Sequence, residues 1–236
     1  MIERTLVVNA DDFGQSAGVN RGIIEAHERG IVTSASLMVL WSASTAAAAY
    51  GRATSTLSVG LHVDLGEWMW CSGTWRSRYR RVDVDNHHEV EREIRAQLEC
   101  CRDLLGRDPT HLDSHQHVHR REPVRSILTH VAHELGVPLR HVTPGIRYCG
   151  EFYGQTATGE PLSDLISVAG LVWSLSTLRQ GVTELACHPG YAEDLDSMYR
   201  TERSIEVRTL CADEVRDTVA DEQIRLTSFR DLAGVR

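Results

Sequence analysis

The acids and imidazoles of this chain concentrate in four short segments: Asp11-Asp12, His62-Val63-Asp64, the run Asp113-Ser114-His115-Gln116-His117-Val118-His119, and His188-Pro189-Gly190. Imidazole and carboxylate together form the ligand set of a catalytic zinc site with open coordination positions, and they also admit other divalent ions. Such an ion brings the pKa of a bound water to about 7 and polarises a carbonyl. A carboxylate outside the ligand set can take a proton from that water, and a spare imidazole can give one to a leaving amine. Four segments of this composition therefore point to metal-assisted hydrolysis. Taken singly, each has a plainer use. An aspartate pair suits a helix N-terminus, His62 in an apolar stretch suits a hydrogen-bonded core histidine, and His188 before Pro-Gly suits a turn. The run from Asp113 to His119 is harder to assign to packing. Its Asp113, His115, His117 and His119 alternate, so an extended chain would set them on one side.

These segments need a scaffold that delivers them to one place. Residues 5–8 are β-branched and apolar and read as a buried strand. Ser16 is placed to cap a helix running to about Arg29, which Gly30 ends. Strands are predicted at 34–40, 57–65, 110–114, 137–142, 183–187 and 224–228, and helices at 43–49, 89–105, 123–135, 163–178 and 213–221. In the 89–105 segment Val90, Ile94, Leu98 and Cys101 share one face. Residues 66–88 fit neither period and read as a long loop. Strand and helix alternate about seven times, which implies parallel βαβ units. The expected architecture is α/β, a single domain over 1–236: a distorted TIM-like (β/α) barrel of mostly parallel strands, with an open doubly wound sheet as the alternative. Each polar segment then falls at the carboxyl end of a strand, the face where such folds carry their active sites.

Composition removes several functional classes. The chain has 236 residues, of which 42% are hydrophobic and 25% charged, enough for a packed core. Its net charge is -8, against the positive excess of nucleic-acid binders. All 25 basic residues are arginine, which excludes a lysine Schiff base and a P-loop lysine. No G-x-S-x-G or G-x-G-x-x-G string is present, so serine-esterase and dinucleotide chemistry lack their usual motifs. The six cysteines form no C-x-x-C pair, so reduced thiols and a cytoplasmic location are expected. Residues 1–9 lack the apolar stretch of a secretory leader, and 43–50 is too short to span a bilayer, so no membrane partner is expected.

The strings Val8-Asn9-Ala10-Asp11-Asp12-Phe13-Gly14, Gly60-Leu61-His62, Thr110-His111-Leu112-Asp113-Ser114-His115-Gln116-His117-Val118-His119 and Cys187-His188-Pro189-Gly190-Tyr191 resemble the YdjC-like carbohydrate deacetylase family. The likeness continues in order through Tyr199-Arg200-Thr201-Glu202-Arg203 and residues 226–232. It implies a distorted (β/α) barrel that removes acetyl groups from sugars of the N-acetylglucosamine type. By position it implies one divalent metal ion, zinc or magnesium, on Asp12, His62 and His115, with Asp11 as general base and His188 as general acid. Asp113 and His117 would support the ligands or face the substrate.

The resemblance does not extend to residues 66–88. That stretch holds Trp68, Trp70 and Trp75, three of the five tryptophans, and it starts beside His62. Exposed aromatic rings suit the C–H face of a pyranose, so Trp70 and Trp75 are expected to form a substrate wall for an acetylated amino sugar. The same rings also suit packing onto the barrel or a homodimer contact. A metal-dependent phosphoesterase would want a second metal and more carboxylates, and a non-catalytic sugar-binding protein would have no use for Asp11 beside Asp12, or for His188.

Overall fold

The computed structural model describes residues 3–232; the outermost positions of the 1–236 domain reading, 1–2 and 233–236, lie outside the described residues. The strand β1 (Arg4–Phe13) is buried along nearly its whole length, the continuous burial of a central parallel strand. It pairs in parallel with β2 (Ser34–Leu37), β8 (Gly181–Cys187) and β9 (Arg225–Thr227). The full sheet runs β6 (Leu112–Ser114), β3 (Ser58–Val63), β2, β1, β8, β7 (Ile146–Cys149), with β9 pairing β1 off that path. All of these pairs are parallel, and the sheet curls into a half-barrel within a single α/β domain, as the alternation implied. The helices α1 (Ala17–Glu28), α2 (Ser44–Ala53), α3 (His87–Leu105), α4 (Val124–Leu135), α5 (Val168–Ser176), α6 (Thr201–Leu210) and α7 (Asp213–Asp221) pack in neighbouring pairs, α1 on α6, α2 on α3, α3 on α4 and α5 on α7.

Local chemistry explains the helix limits. Ser16 accepts a hydrogen bond from the Val19 amide and starts α1. Asn86 caps α3 by accepting from the His88 and Glu89 amides, and Gly106 ends it at φ 68, a left-handed conformation glycine adopts without strain. Val90, Ile94, Leu98, Cys101 and Leu105 form its buried stripe. No helix among the described residues is long and apolar enough to cross a membrane.

The structure departs from the expected elements in several places. Most of 66–88 is a hairpin rather than a loop, formed by β4 (Gly66–Cys71) and β5 (Thr74–Arg80). Its two-residue turn, Ser72 (φ 49) and Gly73 (φ 83), is left-handed at both positions, the geometry that matches strand twist. Trp70 faces Trp75 across the ladder, with ring centroids 5.6 Å apart. The period-2 pattern is weak because this hairpin lies outside the main sheet. The strand expected at 137–142 shrinks to one bridge between Leu112 and Leu139. Pro138 has no N–H to give, Thr143 folds back to accept from the Leu139 amide, and His141 turns left-handed at φ 63. The strand beyond it, β7, and the helix α6 have no counterpart in the sequence reading; α6 escapes because its buried face includes the charged Arg203 and Glu206. The helix expected at 163–178 starts only at Val168, capped by Ser167.

The run from Asp113 to His119 is not extended. Strand β6 ends at Ser114, and His115–Arg120 forms a 3-10 turn with Gln116 (φ 51) and His117 (φ 53) both left-handed. The Ser114 hydroxyl accepts from the His119 amide at 3.0 Å and meets His119 Nδ1 at 2.7 Å, closing the turn. The alternating set therefore splits between two places.

Helix α1 meets the His188 loop backbone to backbone. A Cβ on Gly22 would fall on the Gly190 Cα, and one on Gly18 would fall on the Tyr191 carbonyl. Gly22→Ala should therefore lower stability by about 1–3 kcal/mol, the usual cost of overpacking. Urea unfolding of the two proteins measures it; equal midpoints would show that the loop moves away freely.

Candidate active site

A cleft of about 600 Å³ opens at the carboxyl ends of the strands. Asp11, Asp12, His62, His115, His117 and His188 all line it. Consecutive residues of a regular strand point to opposite faces, yet Asp11 and Asp12 reach the same cleft. The reason is an irregularity in β1: its register with β2 shifts between Ala10 and Phe13, and Asp12 takes the left-handed φ of 68.

Asp12, His62 and His115 converge, each offering one donor atom within 4.8 Å of the others. Asp12 Oδ1 lies 3.4 Å from His62 Nε2 and 3.1 Å from His115 Nδ1. Its second oxygen is taken by Arg203 at 2.5 Å. His62 and Asp113 are register partners on β3 and β6, and His62 Nδ1 meets Asp113 Oδ1 at 2.7 Å. A carboxylate behind the imidazole, with the far nitrogen turned to the cleft, is the usual support of a metal-binding histidine. His115 Nε2 is buried without a partner. One carboxylate oxygen and two imidazoles fit a divalent cation.

Asp113 has no exposed surface and is absent from the cleft lining. It therefore stands behind His62, and the substrate-facing position allowed for it is corrected. His117 does reach the cleft, and its Nε2 meets the Tyr148 hydroxyl at 3.1 Å. Of the tryptophans, Trp75 and Trp68 line the cleft, whereas Trp70, expected there, does not. Trp70 stacks edge-on against Trp75 and donates its amide to Met198 Sδ at 3.2 Å. The Gln116 side chain clamps the backbone of Trp68 at 2.9 and 2.8 Å, tying the hairpin to the turn that carries His115. Asp64 also faces away from the cleft, holding Tyr79, Arg81 and Trp41 at 2.9 to 3.0 Å.

The sequence reading missed the cations that organise this site. Arg140 is buried and forks onto Asp11 at 2.6 and 2.7 Å. Its Nε reaches Glu184 at 2.7 Å and its Nη2 reaches Asp113 at 2.9 Å. Nothing in Val137-Pro138-Leu139-Arg140 marks such a role; only the tertiary position does. Arg203 was within reach, because it belongs to the segment carrying the family likeness.

Burial alone would raise the Asp11 carboxyl, but the adjacent Arg140 guanidinium outweighs it and holds Asp11 below its ordinary value. Burial opposes ionisation of Asp12 too, and Arg203 with both histidines carries it well below the usual range. Burial pulls His62 and His115 down, yet Asp113 raises the first and Asp12 the second above the ordinary imidazole value. Burial lowers His188 to about 4, against the pull of Asp11 and Asp12, so it is neutral near pH 7. Its Nε2 stands 3.8 Å from Asp11 Oδ2, with the rings of Tyr153 and Tyr199 at 5.3 and 5.5 Å. Glu206 accepts from the His188 amide and the Tyr199 hydroxyl, and burial pushes its carboxyl up to about 8.

The fold is shared with carbohydrate esterases. A family 4 carbohydrate esterase from Streptomyces lividans superposes with a TM-score of 0.57 over 96% of this chain and 93% of that one, at 11% identity. A crystal structure from Enterococcus faecalis, provisionally described as a cellobiose-phosphate cleavage protein, superposes with a TM-score of 0.80 at 26% identity, over 98% of this chain and 99% of that one. The YdjC-like protein family model matches residues 5–221, and the chain belongs to that family. A chitooligosaccharide deacetylase of Klebsiella pneumoniae is 33% identical over 98% of this chain and its own full length. A carbohydrate deacetylase of Brevibacillus brevis is 31% identical over 96% of this chain and 99% of its own.

Removing the central cation leaves three buried carboxylates facing one another. Arg140→Ala should destabilise the protein by about 3–5 kcal/mol, the scale for breaking a buried ion pair. Chemical unfolding measures it; a loss under 1 kcal/mol would mean that the acids take up protons without strain.

Proposed function

We propose that this protein is a metal-dependent carbohydrate N-deacetylase that hydrolyses the acetamide of an N-acetylated amino sugar. The observation that carries the reading is the convergence of His62 and His115 on one oxygen of Asp12, with Asp11 and His188 on the same cleft. The names of the Klebsiella and Brevibacillus relatives support the same chemistry. Asp12, His62 and His115 would hold the ion, and Arg203 leaves Asp12 a single oxygen for it. Two imidazoles and one carboxylate favour a zinc-class ion over magnesium, which prefers oxygen ligands and water. When bound, the ion supplies an activated water and polarises the amide carbonyl.

The protein's own groups then move the proton. His188 is neutral at rest, so the proton for the leaving amine comes from the attacking water. Asp11 receives it, and His188, 3.8 Å away, delivers it to the amine nitrogen as the C–N bond breaks. Arg140 keeps Asp11 ionised and aimed at the cleft between transfers. The products are acetate and the free amino sugar. Trp75, Trp68, Tyr153 and Phe152 supply flat apolar area for the sugar ring. With all six cysteines unpaired in the structure, a reducing, cytoplasmic setting suits the protein.

Acetate release from N-acetylglucosamine oligomers, measured after chelation and after zinc is restored, tests the activity. Asp12→Ala, His62→Ala and His115→Ala should each lose bound metal and turnover; full metal content in any of them removes that residue from the ligand set. Asp11→Asn should keep the metal and lose roughly 10²–10⁴ in kcat, and near-normal turnover would rule out its proton-accepting role. Protons compete with metal at His62 and His115, whose metal-free values lie above the ordinary one. Metal affinity should therefore weaken as pH falls through that range; a zinc affinity that is flat from pH 8 to pH 6 would contradict imidazole ligation. Trp75→Ala should raise KM on the true substrate without changing metal content.

A further inference from the structure

A second group of imidazoles lies next to the cleft and takes no part in the proposed reaction. One ring nitrogen of each of His117, His119 and His141 lies within 4.8 Å of the others. The three ring centroids are 5.2 to 5.8 Å apart. Two of the rings are already oriented by a hydrogen bond at one nitrogen. His117 Nε2 meets the Tyr148 hydroxyl, and His119 Nδ1 meets the Ser114 hydroxyl at 2.7 Å. The opposite nitrogens, His117 Nδ1 and His119 Nε2, are both buried with no partner. His119 has no exposed surface, so its Nε2 is shielded from bulk solvent. A buried imidazole nitrogen without a partner is costly, and here two occur in one cluster. His141 is exposed and packs against His117, His119 and Tyr148.

We propose that His117, His119 and His141 form a second cation site, separate from Asp12, His62 and His115, that takes one zinc-class ion. The chemistry of the donors selects the ion. Three neutral imidazoles suit zinc, cobalt, nickel or copper, and offer nothing to magnesium or calcium. Bonds of about 2.0–2.1 Å in a tetrahedral site put ligand nitrogens roughly 3.3 Å apart, so the rings must close slightly. The exposed His141 is the member free to do so. The hydroxyls of Tyr148 and Ser114 stand where supporting hydrogen bonds hold metal-binding histidines. A cavity of about 180 Å³, lined by His119, Arg120, Arg125, His141 and Val142, leaves the fourth position open to water or a small anion. Because the ligand set carries no charge and two arginines line that cavity, this site should be the weaker of the two. A bound ion would join the turn His115–Arg120 to the segment around His141, and so brace the wall of the cleft that His117 forms.

Zinc titration of the metal-free full chain, followed by elemental analysis, tests the proposal. The wild-type protein should bind two equivalents, the second more weakly. His141→Ala should bind one, Asp12→Asn should bind one, and the double variant none. Zinc beyond the first equivalent should raise the melting temperature of the wild type and not of His141→Ala. His130→Ala with His133→Ala, on the exposed face of α4, should leave the second equivalent in place. A wild type that saturates at one equivalent, a His141→Ala variant that still binds two, or loss of the second equivalent in the α4 variant would each overturn the proposal. Retention of two equivalents by Asp12→Asn would instead count against the ligand set proposed for catalysis, so the two readings fail separately.

Discussion

A single buried guanidinium, Arg140, underlies the site. Three buried acids, Asp11 on β1, Asp113 on β6 and Glu184 on β8, surround it and cannot be left uncompensated in a dry interior. Arg140 contacts Asp11, Asp113 and Glu184 at once, with two parallel bonds to Asp11. The planar fork of arginine suits this task, and an ammonium would not supply it. Because Asp113 is held ionised, it orients His62, and because His62 is oriented, its remaining nitrogen faces Asp12. The geometry of the proposed metal site therefore depends on a residue that never touches it.

Arg203 plays a parallel part from the opposite side. It comes from α6, reaches through to Asp12, and donates to the Tyr199 and His188 carbonyls on the way. Arg140 and Arg203 thus divide the two neighbouring aspartates between them. One holds both oxygens of Asp11; the other holds one oxygen of Asp12 and leaves the second for the histidines. Adjacent carboxylates in one cleft would otherwise repel, and one would take up a proton. The division allows Asp11 and Asp12 to stay ionised side by side while serving different ends.

The walls of the cleft are assembled from parts that do not belong to the barrel. The hairpin β4–β5 is anchored at its base by Asp64, which binds Tyr79 and Arg81, and nearer its middle by the Gln116 clamp on Trp68. The same turn that carries Gln116 carries His115 and His117. The Gln116 clamp therefore ties the aromatic wall to the turn that carries the residues beside Asp12. The family match runs through residues 5–221 and so includes the hairpin, although its residues carry none of the strings by which the sequence resembles the family.

The residues themselves determined much of this. Apolar runs of strand length between amphipathic helices required a parallel α/β sheet, and the polar segments at the ends of those runs could only meet on one face. The acids and imidazoles at the strand ends were legible as candidate ligands because ligand chemistry is a property of residue type, whereas singling out Asp12, His62 and His115 among them rested on the family resemblance. What sequence could not reveal was set by contacts between distant residues. Arg140 looks like any surface arginine until β1, β6 and β8 surround it, and α6 hides its helical pattern because its inward face is charged. The alternation from Asp113 to His119 suggested one extended surface, but two left-handed residues and the Ser114 hydroxyl fold it into a turn that sends His115 to Asp12 and His119 to the neighbouring imidazoles. Local periodicity fixes which residues are buried; it does not fix what a buried charge is paired with, since the partner is chosen by the packing of segments far apart in the chain.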